Sequence, residues 1–206
     1  MDSQDHTPEA VLAFWFADAG DDAAAVQERN RVWFTSDPAF DEEIRRRFAA
    51  LVESAQSDEL KAWPLSAAGS LALVVICDQF PRNIYRSTPR AFALDPYALA
   101  LARDAIAQGL DRQLSIVERS FLYLPFEHAE DRDAQAVSLR CFEQLHDEAP
   151  THLRDYTADA LHWSRDHHDI VSRFGRFPHR NLILDRVSSS AELEFLAAQY
   201  NNYGQG

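Results

Sequence analysis

Residues 79–83 (QFPRN) and 176–181 (RFPHRN) nearly repeat each other, about a hundred residues apart. Each stretch follows an apolar helical run and gathers an aromatic ring, a proline, an arginine and an asparagine into one turn. The planar fork of arginine donates paired hydrogen bonds to carboxylate or phosphate, and asparagine adds amide donors and acceptors. We therefore interpret the two turns as two walls of one polar site. The ligand-binding candidates in these walls are Asp78, Gln79, Arg82, Asn83, Arg176, Arg180 and Asn181.

Residues 118–131 form a third polar segment on a predicted helix. Arg119, Tyr123 and Glu127 follow one another at intervals of four, so they share one helix face. Pro125 interrupts the hydrogen-bond ladder and is expected to kink the helix. The alternative interpretation is a salt-bridged helix end that faces water. This segment adds three ligand-binding candidates, Arg119, Tyr123 and Glu130.

Histidines and carboxylates accompany these groups. His167 lies on the apolar stripe of its predicted helix, where a lone histidine is usually a hydrogen-bonded core residue. The polar turn at 176–181 follows soon after, which keeps a functional role open. Such side chains can transfer protons as acid or base, or ligate a metal. The candidate catalytic residues are Glu127, His128, His167 and His179.

A metal is nevertheless not expected. Glu127 and Glu130 are neighbours on one helix, whereas His128 projects about 100° around the axis from Glu127. Nearby arginines would repel a cation and neutralise the carboxylates. We therefore expect both glutamates to pair with arginines, and we predict neither metal nor cofactor. The sequence also lacks the common zinc, phosphate-loop and nucleophile-elbow motifs.

The composition limits the class of protein and its partners. The chain has 206 residues, 46% of them hydrophobic and 26% charged, which is typical of one soluble globular domain, here residues 1–206. Its net charge is 20 − 33 = −13, which argues against nucleic acid or an anionic membrane as a partner. Cys77 and Cys141 occupy apolar helical positions and are predicted to be buried, reduced thiols. The polar, acidic N-terminus is unlike a signal peptide, so we expect a cytoplasmic protein.

The hydrophobic pattern predicts an all-α fold. Apolar residues such as Phe40, Ile44 and Phe48 recur with the helical period, and no long segment alternates with period two. Thr7-Pro8, Asp37-Pro38 and Asp95-Pro96 resemble helix starts, with a capping side chain before a proline. The predicted helices span 7–18, 22–34, 38–56, 66–79, 96–108, 116–130, 132–147, 151–174 and 190–200.

These helices suggest a simple architecture. Short links between about nine helices favour antiparallel pairs, which could stack as a degenerate solenoid. The helix that begins at Ser66 is expected to end near Phe80, because Pro81 disfavours helical geometry in the residue before it.

The polar segments together resemble the signature blocks of a bacterial family catalogued as domain of unknown function 924. The DQFPRN, LPFEH and FGRFPHRN stretches carry the resemblance, in the same order and spacing. It implies an all-helical fold with a tetratricopeptide-like right-handed helical array, and it implies no established reaction. The chain differs from the family pattern at Ala129 and at 184–186, away from the proposed site.

Three functions are compatible with these features. The first is an enzyme or binder that acts on a small anionic carboxylate or phosphate compound, and it requires arginines that face an open pocket and outnumber their acidic partners. The second is a helical scaffold that binds a peptide or protein partner, which requires a broad groove with exposed aromatics. The third is purely structural, which requires that every polar group be paired and that no cavity be present.

The charge of the chain yields a first prediction. We expect no appreciable binding of DNA or RNA at physiological salt, because the acidic surface repels phosphate backbones. A gel-shift titration checks this, and a tight complex that weakens steeply with added salt would contradict it.

Overall fold

The computed structural model describes residues 6–17, 19–20, 22–57 and 60–198, which form helices and turns without any β-strand. Two of the α-helices, α4 (Ala67–Val74) and α5 (Phe80–Ile84), are joined end to end by a turn of π-helix, Val75–Gln79. When these two are counted as one, the described residues contain nine helices. The predicted all-α class is confirmed. The α-helices are α1 (Pro8–Phe16), α2 (Ala23–Phe34), α3 (Pro38–Ser54), α4 (Ala67–Val74), α5 (Phe80–Ile84), α6 (Asp95–Ala107), α7 (Ile116–Glu127), α8 (Arg132–Glu148), α9 (Arg154–Phe174) and α10 (Ser190–Ala198). Turns of 3-10 helix occupy Trp63–Leu65, Pro89–Phe92, Leu110–Gln113, Thr151–Leu153 and Pro178–Arg180.

Side-chain caps define most of the predicted helix starts. Thr7 and Asp37 each accept a backbone N–H from the first turn of the helix that follows, as their sequence context predicted. Ser115 and Glu118 form a reciprocal capping box at the start of α7. The expected cap at Asp95 is wrong, because α6 already begins at Asp95 and its carboxylate binds Arg82 instead.

Pro81 predicted that the helix beginning after Ser66 would end near Phe80. This prediction is wrong, because the chain continues as a helix beyond Phe80. In the π-segment Val75–Gln79 the backbone widens, and the N–H of Phe80 bonds to the carbonyl of Val75, five residues earlier. Pro81 then occupies the first turn of α5, where a proline is tolerated because its missing N–H is not needed. The chain can therefore continue as a helix to Ile84. Such π-turns are frequent at functional sites.

An aromatic core fixes the position of this segment. The side chain of Phe80 is fully buried, stacks on Phe48 at a centroid distance of 4.8 Å and meets Trp15 edge-on at 5.7 Å. Trp15 also contacts Phe121 of α7, with 5.8 Å between the ring centroids. Burial of such rings contributes a few kcal/mol each, so α1, α3, α5 and α7 are held in one arrangement.

Helices α7, α8 and α9 form a layer beside this core. Near the helix starts the Ser120 and Tyr156 hydroxyls are 2.6 Å apart, and near the helix ends Glu127 is 3.1 Å from His167. These contacts show that α7 and α9 run in the same direction. Helix α8 packs on both and, joined to each by a short connection, runs the opposite way. The tetratricopeptide-like array stays a prediction with which this arrangement is consistent.

The two cysteines differ in burial. Both are free thiols, and Cys77 is fully buried as predicted, whereas Cys141 is only partly buried. Burial raises the pKa of Cys77 far above its ordinary value and that of Cys141 to about 11. Among the described helices, none combines the length and apolarity needed to cross a membrane.

Gly69 generates a prediction about stability. A Cβ atom at this position would lie 1.9 Å from the carbonyl oxygen of Trp63, because the turn Trp63–Leu65 crosses the start of α4. We expect Gly69→Ala to lower the free energy of unfolding by about 2 kcal/mol or more, as overpacking does. Urea denaturation measures this loss.

Gly109 provides the matched control. Its φ of 69° favours glycine, but a Cβ atom there meets nothing within 4 Å. Gly109→Ala should therefore cost about 1 kcal/mol, from backbone strain alone. An equal or smaller loss in Gly69→Ala than in Gly109→Ala would show that the close approach does not constrain the fold.

Candidate functional site

A cavity of about 320 Å³ lies between α7 and α9, bounded also by α2, α5 and the turn at Pro178–Arg180. This volume is within the range of small-molecule sites. Its polar lining includes Gln79, Arg82, Asn83, Arg86, Glu127, His128, His167, His179 and Arg180. Its apolar lining includes Trp33, Phe34, Phe92, Phe121, Leu124, Phe142, Ala160 and Trp163.

The two repeated turns meet at one carboxylate, that of Asp95. Arg82 donates two hydrogen bonds to it, of 2.9 and 3.0 Å, and the Nη1 of Arg180 lies 3.4 Å from its Oδ2. The prediction that the two turns are close in space is therefore confirmed. Sequence reasoning missed Asp95 as the joining residue, because its position before Pro96 indicated a helix cap.

Arg180 is the most enclosed cation of the cavity wall. It is 7% exposed, and its guanidinium lies 4.6 Å from the ring centroids of both Phe92 and Phe177. Burial, together with repulsion from Arg82, lowers the pKa of Arg180 to about 10, so it stays charged at neutral pH. The aromatic contacts hold the planar group in place.

Asp41 of α3 anchors a second part of the wall. It accepts hydrogen bonds from Arg86 at 3.0 and 2.9 Å and from the amide of Asn83 at 2.7 Å. Arg86 was not among the predicted binding residues, although it belongs to the same polar segment. The signal that could have found it is its position three residues after Asn83, on the same side of the short helix and the turn that follows.

His128 and Asp78 form a buried pair at the polar end. The Nδ1 atom of His128 lies 2.8 and 2.9 Å from the two carboxylate oxygens of fully buried Asp78. Burial opposes ionisation of Asp78, but Arg82 and His128 outweigh it and hold its pKa at about 2. Burial, with repulsion from Arg82, lowers the pKa of His128. The imidazole is therefore neutral, donates its Nδ1–H to Asp78 and leaves Nε2 as a proton acceptor.

A second histidine–carboxylate pair lies beside the first. The Nδ1 of His167 is 2.9 Å from the carbonyl oxygen of Trp163 and 3.1 Å from Oε1 of Glu127. The rings of His128 and His167 are perpendicular, with 6.4 Å between centroids. His179 completes the group, and its pKa is lowered to about 2, mainly by burial and then by Arg180. The site thus combines three arginines, the ionised carboxylate of Asp78 and the neutral imidazoles of His128 and His179.

The expected pairing of both glutamates with arginines is correct only for Glu130. Its carboxylate accepts hydrogen bonds of 2.5 and 2.9 Å from Arg186 and one of 2.8 Å from the N–H of Phe177. Glu127 is paired with His167, because α9 packs directly against the end of α7. Among the described residues, no three His, Cys, Asp or Glu side chains converge as a metal-binding set.

Six predicted binding residues lie outside the cavity lining, which corrects their assignment to one site. Arg119 bonds to Glu148 at the end of α8 and, like Tyr123, belongs to a separate network that includes Asp111. The shared helix face that suggested them is real, but α8 covers it. Glu130 is bound to Arg186 as described above, Arg176 to Glu192, and Asn181 to Ser188 and Arg186. Asp78 lies behind the wall, held by His128 and Arg82.

Sequence reasoning missed the apolar half of the cavity. Phe34 of α2 is 58% exposed and stacks on Phe121 with 6.2 Å between ring centroids, while Trp33 is buried. Trp163 lies on the apolar stripe of α9. Nothing in the sequence separates aromatic residues that line a cavity from those that fill a core.

The chain is therefore an all-helical protein whose partly open cavity has an arginine–histidine end and an aromatic end. Its fold is similar to the structure of a protein of unknown function from Agrobacterium tumefaciens, with a TM-score of 0.79 and 36% sequence identity over 96% of this chain and 100% of that chain. The family model described as bacterial protein of unknown function (DUF924) matches residues 11–199, so the chain belongs to this family, as the signature blocks indicated. A search of curated proteins finds no match.

The Asp78–His128 pair generates a prediction about acid stability. The pKa of Asp78, about 2, is below its unfolded value of about 4, so the carboxylate stabilises the fold above pH 4. This contribution is lost as the pH falls through about 2. We expect Asp78→Asn to lower the free energy of unfolding at pH 7 by about 2–3 kcal/mol, and the difference from wild type to vanish between pH 4 and 2.

Denaturant titrations across this pH range measure the difference. Asp169→Asn is the control, because that side chain is 83% exposed and its removal should change stability by less than about 0.5 kcal/mol. If the difference in free energy of unfolding between wild type and Asp78→Asn stays constant with pH, the pKa of Asp78 is not lowered.

Proposed function

We propose that the cavity binds a small molecule through an anionic carboxylate or phosphate group at its arginine end. The observation that carries this proposal is the guanidinium of Arg180, which is buried on the cavity wall and shares its carboxylate partner, Asp95, with Arg82. A buried cation is costly unless it is compensated, and a bound anion supplies compensation.

The arginines on the wall supply donors for an anion. The described lining contains three arginines and two carboxylates, Glu127 and Asp159, but the arginines do not outnumber their acidic partners, because Asp41, Asp78 and Asp95 also pair with them. The carboxylates Asp41, Asp78 and Asp95 lie behind the arginines and are not part of the lining. They orient the guanidinium groups from the rear, so a ligand meets preorganised donors at a lower entropic cost.

The cavity also argues against the two other interpretations. A purely structural network would leave no space of 320 Å³ at its centre. A peptide scaffold would need a broad groove with exposed aromatic residues, whereas among the aromatic residues of the described lining only Phe34 is largely exposed, and Trp33 and Phe121 are 6% and 1% exposed.

A second candidate function is catalysis on the bound molecule, favoured by the geometry of His128. Asp78 fixes the imidazole so that its Nε2 accepts protons, the arrangement of a general base. The neighbouring Glu127–His167 pair supplies a second group able to exchange protons.

Arg180→Gln tests the anion site. We expect isothermal titration of wild-type protein with butanoate, benzoate and inorganic phosphate to detect binding of at least one of them. Arg180→Gln should weaken that binding about tenfold or more, because a charge-assisted hydrogen bond contributes about 1.5–3 kcal/mol.

Arg176→Gln is the matched control, since Arg176 belongs to the same turn but bonds to Glu192 outside the cavity. It should bind the anions as wild type does. Arg180→Lys, which keeps the charge, serves if the glutamine variant does not fold. Absence of anion binding, or equal binding by wild type and both Arg180 variants, would overturn the proposal.

A further inference from the structure

We infer that the ligand is an amphiphilic carboxylate whose apolar tail lies between α7 and α9, away from the arginine end. This inference rests on the proposed function, because the arginine end must hold the anionic head. It adds the chemical class of the molecule, which follows from how polarity is distributed along the cavity.

The cavity is polarised along the helix axes. Its polar end lies where Glu127 meets His167, and its other end where Ser120 meets Tyr156. These contacts are seven residues apart on α7 and eleven apart on α9. With a rise of 1.5 Å per residue, the two ends are separated by about 10–16 Å along the helices.

The section between the two ends is lined mainly by apolar side chains, although the exposed Asp159 of α9 also lines it. Phe121 and Leu124 line it from α7, and Ala160 and Trp163 line it from α9. Phe34 of α2 lies at its edge, where the ring stacks on Phe121 and is 58% exposed. A small anion held at the arginine end would leave this surface in contact with water, whereas an attached tail would bury it.

The polar groups at the Ser120–Tyr156 end of the cavity do not require a charged group on the tail. The hydroxyls of Ser120 and Tyr156 are 2.6 Å apart, and Ser120 also donates to the carbonyl of Val117 at 2.7 Å. These groups satisfy one another, so an apolar terminus can lie beside them without stranding a polar atom.

The head group is more consistent with a carboxylate than with phosphate. The three arginines of the described lining already pair with Asp41, Asp78 and Asp95, and Glu127 and Asp159 line the same cavity, so no excess of positive charge is left for a doubly charged head. A carboxylate brings one negative charge to the guanidinium groups, whereas a phosphate monoester at pH 7 brings close to two.

A chain-length series of linear alkanoates tests the inference. We expect affinity, measured by isothermal titration, to rise about two- to fourfold per methylene from butanoate to octanoate, because each added methylene leaves water. Octanol should bind at least tenfold more weakly than octanoate, since it lacks the charged head.

Two variants on one helix supply the matched comparison. Ala160→Phe fills the apolar section and should remove the gain from chain length, and circular dichroism reports whether the variant is folded. Ala158→Phe makes the same change at an exposed position of α9 outside the lining, and should keep the full gain.

The outcomes separate the inference from the function on which it rests. If the series is flat while butanoate still binds and depends on Arg180, the tail site is wrong and the anion site stands. If octanol binds as tightly as octanoate and Arg180→Gln has no effect, the head site is wrong and the inference falls with it. If no alkanoate binds, the inference is wrong, and the proposed function stands only if benzoate or phosphate binds and that binding depends on Arg180.

Discussion

The carboxylate of Asp95 is the constraint on which the site depends. It joins Arg82 of α5 to Arg180 of a turn about a hundred residues later in the chain, and it lies at the start of a third element, α6. A carboxylate can serve two guanidinium groups because each oxygen accepts more than one hydrogen bond. The interaction, together with the Asp78–Arg82 ion pair, lets two cations lie close together in a buried place, where they would otherwise repel each other.

The rest of the cavity is built around that contact by ordinary packing. The aromatic core holds α5 against α1, α3 and α7, while α8 holds α7 and α9 in register. The polar groups then occupy the ends of these elements, where the helices no longer cover them. Rigid elements that carry a polar end and an apolar interior are a common basis of small-molecule sites.

Local patterns predicted most of the fold, because helical periodicity and caps are local. The starts at Thr7, Asp37 and Ser115 follow from short-range chemistry and are correct. The error at Phe80 arose because a rule about proline assumes an α-helix, whereas a π-turn gives the backbone another way to pass Pro81. The two turns were correctly brought together, but their partners were not foreseen. Which carboxylate meets which arginine is decided by tertiary packing, as Asp95 and Glu127 show.

The π-segment Val75–Gln79 changes the direction in which later side chains project around the helix axis. Each residue of an α-helix advances about 100° around the axis, so the wider turn at Val75–Gln79 shifts everything that follows relative to a regular helix. Arg82 and Asn83 meet Asp95 and Asp41 in this shifted phase. The single wide turn therefore rotates the residues that follow it about the helix axis. One face of the continuous helix packs in the aromatic core up to Phe80, and the turn after Phe80 directs its polar side chains to two different helices.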